Sequence, residues 1–380
     1  MTSRIIPEVV TVDGEEWPVR RAWPASRDRI AIEAEKNSAI RAGFLSTGRD
    51  RVGMFASGRD PKLPGLECLL AAGETSGAGG ASGAGGSSAA GSTGNRLISH
   101  RPGKRAVIRL ADGNFAKCVR PSRAADIIAG QDRAETFRNG FALPNVLTAD
   151  DSTVVLSALP GVELHDPSRL GADWTRAWGE ALDAWALAAD SIDSGYTPTA
   201  TPSTDAAPAA MSSLPTHSAD SEARVLDEWR ARAHHVLGPR AAEMESLITQ
   251  VRGDLLNDDA ASAGERNWGP IHRDLHDKQI MWDPVAGPGL LDVDTACLGE
   301  RELDLGNLRA HARWRTHQGI WTVDDAEVVL GEISRVTSAS RLDPRRVSAY
   351  ERSTLLRLVC VYAFRPKWSD RTGWLLEAAR

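Results

Sequence analysis

Residues 269–308 read GPIHRDLHDKQIMWDPVAGPGLLDVDTACLGERELDLGNL, and this stretch decides the fold. Two short apolar runs lie inside it, at 280–282 and at 290–291. Between the runs, Asp283, Pro284, Gly287 and Gly289 are residues that favour turns over regular elements. The pattern therefore predicts a β-hairpin in the middle of the stretch.

Polar side chains flank the predicted hairpin on both sides. His272, Asp274 and Gln279 lie on the loop that enters it, and Asp292 and Asp294 lie at its exit. We expect the carboxylates and the amide to converge on a small volume. Such a cluster is costly unless a cation occupies it, and Mg²⁺ with a nucleotide phosphate is the usual occupant.

The loop at 272–275, His-Arg-Asp-Leu, resembles the catalytic loop of protein-kinase-like phosphotransferases. An amide follows Asp274 by five positions, and Asp292 follows that amide by thirteen, as in that superfamily. The His-x-Asp-Leu-His form and the Glu-Leu-Asp-Leu-Gly-Asn-Leu segment at 302–308 resemble the aminoglycoside phosphotransferase and choline kinase branch. The resemblance is strong over about residues 97 to 310.

One position departs from the usual pattern of that branch, which has Asn where this chain has Gln279. Maltokinase-like and glucosamine-kinase-like members are similar to this chain in carrying Gln there. A glutamine amide still offers a carbonyl oxygen to Mg²⁺. We therefore interpret Gln279 as a variant of the site.

The resemblance implies an α+β, bilobal, protein-kinase-like fold that uses ATP and Mg²⁺. The small lobe would be mostly antiparallel sheet plus one helix, and the larger lobe mainly helical. Phosphoryl transfer in such folds depends on positioning and charge neutralisation. Asp274 would accept or orient the proton of the attacking hydroxyl, and Gln279 and Asp292 would hold Mg²⁺. Asp294 would bind a second Mg²⁺ or a cationic group of the substrate. His272 and Asp304 would support the loop. His276, Asp277 and Glu300 are candidates for contact with the substrate.

The predicted nucleotide-binding strands precede this stretch, at 97–100, 106–110 and 114–120. Lys104 and Arg105 lie in the first turn and suit a loop over phosphates. The resemblance implies that Lys117, on the third strand, holds the α- and β-phosphates. A helix at 121–138 follows, with a serine cap, and its Glu135 is the favoured partner of Lys117; Asp132 is the alternative.

The chain divides into four predicted parts. Residues 1–70 form an N-terminal segment of the small lobe, with strands on either side of a turn at 13–14 and a helix at 26–43. Residues 73–94 are a flexible insertion rich in Gly, Ser and Ala. Residues 95–160 form the nucleotide-binding small lobe, ending in a hinge near 154–164. Residues 161–380 form the helical catalytic lobe, with an aromatic stripe of core residues at 174–185, a flexible loop at 191–220, and helices at about 221–236, 239–256, 324–336 and 343–362.

The amino-acid composition limits the kinds of binding partner and indicates the cellular compartment. A formal net charge of −6 argues against nucleic acid or an anionic membrane as the main partner. The chain contains no run of eighteen apolar residues, and its start lacks the apolar core of a signal peptide. The four cysteines have no disulfide or metal spacing, which fits a cytoplasmic protein. Composition leaves the oligomeric state open.

The predicted function is ATP-dependent transfer of phosphate to a hydroxyl of a small molecule: an amino sugar, a sugar or an aminoglycoside-like compound. Asp277, Asp294 and Glu300 would give the acceptor pocket a negative lining. Only eleven residues separate Asp292 from Asp304, too few for the peptide platform of a protein kinase. A non-catalytic pseudokinase or scaffold is the alternative function, and a protein kinase a third.

Overall fold

The computed structural model of the protein describes residues 5–26, 28–46, 51–77, 94–190, 214–256 and 267–380. The predicted insertion and the predicted flexible loop fall largely on residues 78–93 and 191–213, which lie outside the described residues.

The chain begins with a five-stranded antiparallel sheet. Its strands follow chain order: β1 (Val9–Val12), β2 (Glu15–Ser26), β3 (Arg29–Lys36), β4 (Ala39–Ser46) and β5 (Arg51–Met54). The predicted turn at 13–14 is confirmed, and its two residues have φ values of 53° and 82°. Positive φ at both positions suits the right-handed twist of a tight hairpin.

The helix predicted over residues 26–43 is wrong, because these residues form β3 and β4. Every residue from Ile30 to Ala34 is buried, so both faces of β3 are covered, and its antiparallel pairing with β2 and β4 establishes it as a strand. Asn37 and Ser38 both have positive φ and close the hairpin between the two strands.

The second sheet forms the small lobe. α1 (Pro64–Gly77), β6 (Arg96–Arg101), β7 (Arg105–Arg109), β8 (Phe115–Val119), α2 (Ala124–Ala134), β9 (Val146–Ala149) and β10 (Thr153–Leu156) follow one another along the chain. The strands lie in the order β6-β7-β8-β10-β9, and all neighbours are antiparallel. α2 lacks the predicted serine cap: Arg123 is its N-cap residue, and no side chain caps it.

The remaining chain is mainly helical. Its elements are β11 (Val162–Glu163), α3 (Pro167–Leu170), α4 (Trp174–Asp190), β12 (Thr216–His217), α5 (Ala219–Leu237), α6 (Arg240–Leu256), β13 (Trp268–Ile271), β14 (Ile280–Asp283), β15 (Gly287–Leu290), β16 (Cys297–Glu300), α7 (Glu302–Gln318), α8 (Val323–Ala339), α9 (Pro344–Ala363) and α10 (Thr372–Ala378). The predicted hairpin is confirmed as β14 and β15. α5, α6, α8 and α9 confirm the predicted helices to within a few residues. Among the described helices, none is long and apolar enough to cross a membrane.

Two large buried clusters organise this lobe. Trp174, Trp178 and Trp185 of α4 pack with the β14–β15 hairpin, α7 and α8, so the aromatic stripe is core, as predicted. The other cluster joins α5, α6, α9 and α10 to strands β1–β4 of the N-terminal sheet. The N-terminal sheet therefore packs against the helical lobe.

Candidate active site

The loop between β13 and β14 is held by one buried carboxylate. Asp304, at the start of α7, accepts the backbone N–H of His272 at 2.8 Å and that of Arg273 at 2.9 Å. The Trp185 indole donates to the same carboxylate at 3.2 Å. Burial raises the pKa of Asp304, although these bonds oppose the shift. The bonds hold Arg273 at a φ of 71°, where a non-glycine residue is strained.

His272 is also part of this support. Its Nε2 lies 2.8 Å from the carbonyl oxygen of Leu291, and the backbone N–H of Asp274 lies 3.3 Å from its Nδ1. The imidazole thus connects the loop to the end of β15, immediately before Asp292. This geometry agrees with a buttress, and His272 has no free ring nitrogen for proton exchange with a substrate.

Asp274 is 45% exposed and is positioned by an arginine that lies far away in the sequence. Arg357, on α9, donates to its Oδ1 at 3.0 Å. The same guanidinium donates to Asn307 Oδ1 at 2.8 Å, and Asn307 donates to the carbonyl of Arg273 at 2.7 Å. Sequence reasoning missed Arg357. The signal was a cation between Leu355 and Leu358, on a helix face that is otherwise apolar.

The Lys117 ammonium bridges the two aspartates that follow β15. Its Nζ lies 2.9 Å from Asp292 Oδ1 and 2.9 and 3.0 Å from the two oxygens of Asp294. Arg105 lies 3.7 Å from the same oxygen of Asp292. Burial opposes both charges, yet the ion pairs raise the pKa of Lys117 and hold that of Asp292 far below its usual range.

The predicted pair between Lys117 and Glu135 is not formed. α2 ends at Ala134, and Glu135 begins a turn of 3₁₀ helix in which its carboxylate bonds to Arg138, at 2.7 and 2.8 Å. Asp132, the alternative, is exposed. Gln131, a buried residue of α2, lines the same cleft as Lys117. Two aspartates from the other lobe therefore supply the negative charge for this lysine.

A cleft of about 670 Å³ lies between the small lobe and the hairpin. Lys117, Arg105, Gln279 and Asp292 all line it. The segment at 156–162, where the hinge is predicted, forms one wall. Gln279 Nε2 lies 3.4 Å from His276 Nε2, and its side-chain oxygen has no hydrogen-bond partner among the described residues. The structure thus brings Lys117, Arg105, Gln279 and Asp292 together in one cleft, while Lys104 and Asp294 line a second cavity that shares Lys117 and Arg105 with it.

The turn between β6 and β7 is fixed by a buried acid from before α1. Asp60 accepts the backbone N–H of Gly103 at 2.6 Å and lies 2.9 Å from His100 Nε2. Burial favours a raised pKa, but these hydrogen bonds lower the pKa of Asp60 below its usual value. Sequence reasoning missed Asp60, because its partners lie 40 and 43 residues further along the chain.

Two predicted substrate residues are neutralised by buried arginines. Burial would raise the pKa of Asp277, but Arg315, bonded at 2.9 and 3.0 Å, and His165 hold it well below its usual range. Glu300, on β16, is 2% exposed and pairs with Arg346. The predicted negative lining is therefore wrong for these two acids. Asp294 faces the cluster around Lys117.

His276 is likewise an interior residue. Its ring stacks on that of His311 with the centroids 4.6 Å apart, and burial lowers the pKa of both histidines. The ligand atoms of His276, Asp277 and His311 lie within 4.8 Å of one another. The bidentate Arg315 disfavours a metal ion beside Asp277, because it already supplies the positive charge.

A family model described as "Phosphotransferase enzyme family" matches residues 116–331. The chain belongs to this family. The predicted family and the bilobal α+β fold are confirmed. The predicted enzyme class, a phosphotransferase for a small-molecule hydroxyl, is confirmed as well. The likeness of Gln279 to maltokinase-like members stays a prediction. No curated protein matches this phosphotransferase.

Solved structures resemble this phosphotransferase at low identity. Aminoglycoside phosphotransferase APH(3'')-Id from Streptomyces rimosus ATCC10970 is 20% identical, with a TM-score of 0.47, over 71% of this chain and 93% of that chain. Macrolide 2'-phosphotransferase MphH from Brachybacterium faecium is 15% identical, with a TM-score of 0.44, over 83% and 98%. Choline kinase from Cryptosporidium parvum Iowa II is 10% identical, with a TM-score of 0.49, over 75% and 88%.

Proposed function

We propose that this phosphotransferase moves the γ-phosphoryl group of ATP to a hydroxyl of a small molecule, with Asp274 as the residue that serves the acceptor. The observation that carries the proposal is the position of Asp274. Its carboxylate is half-exposed, is oriented by Arg357, and lies on the loop that also carries Gln279 into the cleft. The segment at 156–162 would receive the adenine, and Lys117 and Arg105 the phosphates.

The residues at the phosphate end of the cleft suit Mg²⁺. Asp292 and Gln279 both line the cleft and offer hard oxygen donors, and Asp294 adds a second carboxylate. The Lys117 ammonium lies between the two aspartates and offsets one of their two negative charges, so one negative charge is left for a metal ion. Bound Mg²⁺ would neutralise charge on the β- and γ-phosphates.

The chain's own groups account for the remaining chemistry. The hydroxyl oxygen forms a bond to the γ-phosphorus while the bond to the β-phosphate oxygen breaks, and ADP leaves. Asp274 orients the hydroxyl and takes its proton as that bond forms. Arg357 keeps Asp274 in place, since its guanidinium is itself fixed by Asn307.

Transfer of label from γ-labelled ATP tests this function. The acceptors are a neutral sugar, an amino sugar, an aminoglycoside, a macrolide, choline and a generic protein. We expect labelled small molecules and an unlabelled protein. Nucleotide binding without turnover on any acceptor would favour the non-catalytic alternative instead, and label on the protein alone would indicate a protein kinase.

A further inference from the structure

A second cavity, of about 830 Å³, adjoins the nucleotide cleft on the other side of Lys117 and Arg105. It lies between the β6–β7 turn, the end of β8 and the first turns of α2. Seven cationic side chains and only two carboxylates line it. The cations are Arg101, Lys104, Arg105, Lys117, Arg120, Arg123 and Arg133, and the carboxylates are Asp126 and Asp294.

Four of these cations are left without a counter-charge. The two carboxylates are already used, because Asp294 pairs with Lys117 and Asp126 with Arg123. Arg120 and Arg133 donate to backbone carbonyl oxygens, which carry no net charge. In the part of the chain that the structure describes, no carboxylate lies within ion-pair distance of these two arginines, of Arg101 or of Lys104. The cavity therefore holds uncompensated positive charge.

The positive charge continues from Arg101 towards the helical lobe. The guanidinium groups of Arg101, Arg21 and Arg365 lie 5.6, 5.7 and 5.4 Å from the centre of the Trp23 ring. Burial lowers the pKa of Arg101 to about 10, and the nearby charges of Arg105 and Arg232 add to the shift. The buried Glu33 pairs with Arg21 at 2.7 Å, so one carboxylate already faces this group of three arginines, whereas Arg101 has no carboxylate within ion-pair distance among the described residues.

The location of this charge relates it to the acceptor. Burial lowers the pKa of Lys104, and the charges of the nearby arginines add to the shift, among them that of Arg232 on α5 of the helical lobe. Arg365 follows α9, the helix whose Arg357 orients Asp274. The cationic surface thus lies next to the phosphate end of the cleft and faces the lobe that carries Asp274.

We propose that the acceptor is a hydroxylated small molecule with an anionic group, phosphate or carboxylate, and that Arg101 and Lys104 bind that group. This inference rests on the proposed function and narrows its substrate class. Arginine and lysine bind oxyanions through charge-assisted hydrogen bonds, and here Arg101 is partly buried while Lys104 is exposed. An aminoglycoside would bring further positive charge to a surface that already lacks counter-charges.

A titration of inorganic phosphate tests the site independently of turnover. Calorimetry would follow phosphate binding to the enzyme alone and to the enzyme filled with Mg²⁺ and a non-hydrolysable ATP analogue. We expect phosphate to bind in both states, and Arg101→Gln with Lys104→Gln to weaken binding by about tenfold or more, since charged hydrogen bonds are lost. Arg224→Gln, on the exposed face of α5, is the matched control and should bind phosphate like the parent. Acetate in place of phosphate distinguishes a carboxylate site from a phosphate site.

The outcomes separate this inference from the proposed function. No phosphate binding by the parent enzyme, or equal binding by the double variant, would overturn the anion site whether or not the enzyme transfers phosphate. If the double variant does not fold, Arg101→Lys, which keeps the charge, replaces it and should retain part of the binding. Transfer assays on glucose, glucose 6-phosphate, gluconate and glucosamine then assign the site. A higher kcat/KM for glucose 6-phosphate or gluconate supports an anionic acceptor, and a higher value for glucosamine contradicts it while phosphotransfer itself stands.

Discussion

Asp274 is the side chain whose removal should affect the chemistry most selectively. Asp274→Asn removes the group that we propose takes the acceptor proton, yet leaves Lys117 and Asp292 in place. We expect kcat to fall by about 10²–10⁴-fold, the usual worth of a positioned acid or base. Nucleotide affinity, measured by fluorescence titration, should stay near that of the parent. Asp283→Asn, in the exposed turn of the hairpin, is the control; a near-parent kcat in Asp274→Asn would remove this residue from the mechanism.

Lys117 and Asp292 should act on the nucleotide side. Lys117→Ala would lose the proposed phosphate contact. Asp292→Ala would lose the proposed metal ligand and also the observed partner of that lysine. We expect both variants to raise KM for MgATP, and added Mg²⁺ to restore neither to the parent level. Initial rates over a grid of ATP and Mg²⁺ concentrations measure this, with Lys36→Ala on β3 as the control. Full rescue of Asp292→Ala by Mg²⁺ would place the metal elsewhere.

Individual site residues could be predicted from the sequence when they lie close to one another in the chain. The residues at 272–304 lie within one hairpin and its flanks, so their convergence follows from local structure. Arg357 and Asp60 escaped prediction because long-range packing alone brings them to the site. Glu135 was assigned wrongly because a change from α to 3₁₀ winding at one residue redirects a side chain, and spacing alone does not show such a change.

Asp277 connects three segments of the catalytic lobe through ion pairs. It links its own loop to Arg315 on α7 and to His165 before α3. Asp277→Asn should destabilise the fold at pH 7 by about 3–5 kcal/mol, because Arg315 keeps a buried charge without a partner. Chemical denaturation measures this, and Asp173→Asn, in an exposed pair with Arg176, should cost less than about 1 kcal/mol.

The pH dependence of that difference follows from the lowered pKa of Asp277. A carboxyl whose pKa is lower in the folded state stabilises the protein fully above its unfolded pKa, about 3.9. This contribution is lost as the pH falls through the lower pKa of the folded state. The gap between parent and Asp277→Asn should therefore be widest near neutral pH and shrink below about pH 4. A gap that is constant with pH would mean that packing, and not charge, is responsible.

Helices and strands were predictable from the sequence where a regular hydrophobic pattern extended over many residues. α5, α6, α8 and α9 were predicted to within a few residues, because each buries one apolar face. α7 and α10 were not predicted, and α7 is buried on nearly all sides, so it shows no single apolar face. The segment at 26–43 misled because Ile30, Ile32 and Ile40 also fit a loose helical spacing, and the choice between the two periods depends on tertiary pairing.

At the scale of the whole molecule, the N-terminal sheet and the helical lobe should unfold together. Ile32 is fully buried in the cluster that includes α5, α6 and α9. Ile32→Ala should cost about 2–5 kcal/mol and lower one shared melting transition. Ile5→Ala, at a residue 43% exposed, is the control. Two separate transitions in a calorimetric scan of the variant would show that the sheet is an independent unit. The predicted division at residues 70, 95 and 161 stays a prediction, but it does not reflect this shared core.

The same sheet is bonded to both lobes. The backbone N–H of Ala22 donates to the carbonyl of Phe364 beside α9 at 3.0 Å, and Glu33 accepts the backbone N–H of His100 in the small lobe at 2.6 Å. Two lobes that are joined only at one hinge can rotate about several axes. A second connection between them, here the N-terminal sheet, restricts the movement to rotation about the line that joins the two connections. If the lobes of this phosphotransferase close over a nucleotide, we expect the movement to be a rotation about the line that joins these two contacts. The cationic turn at 101–105, next to His100, would move with the small lobe in that rotation.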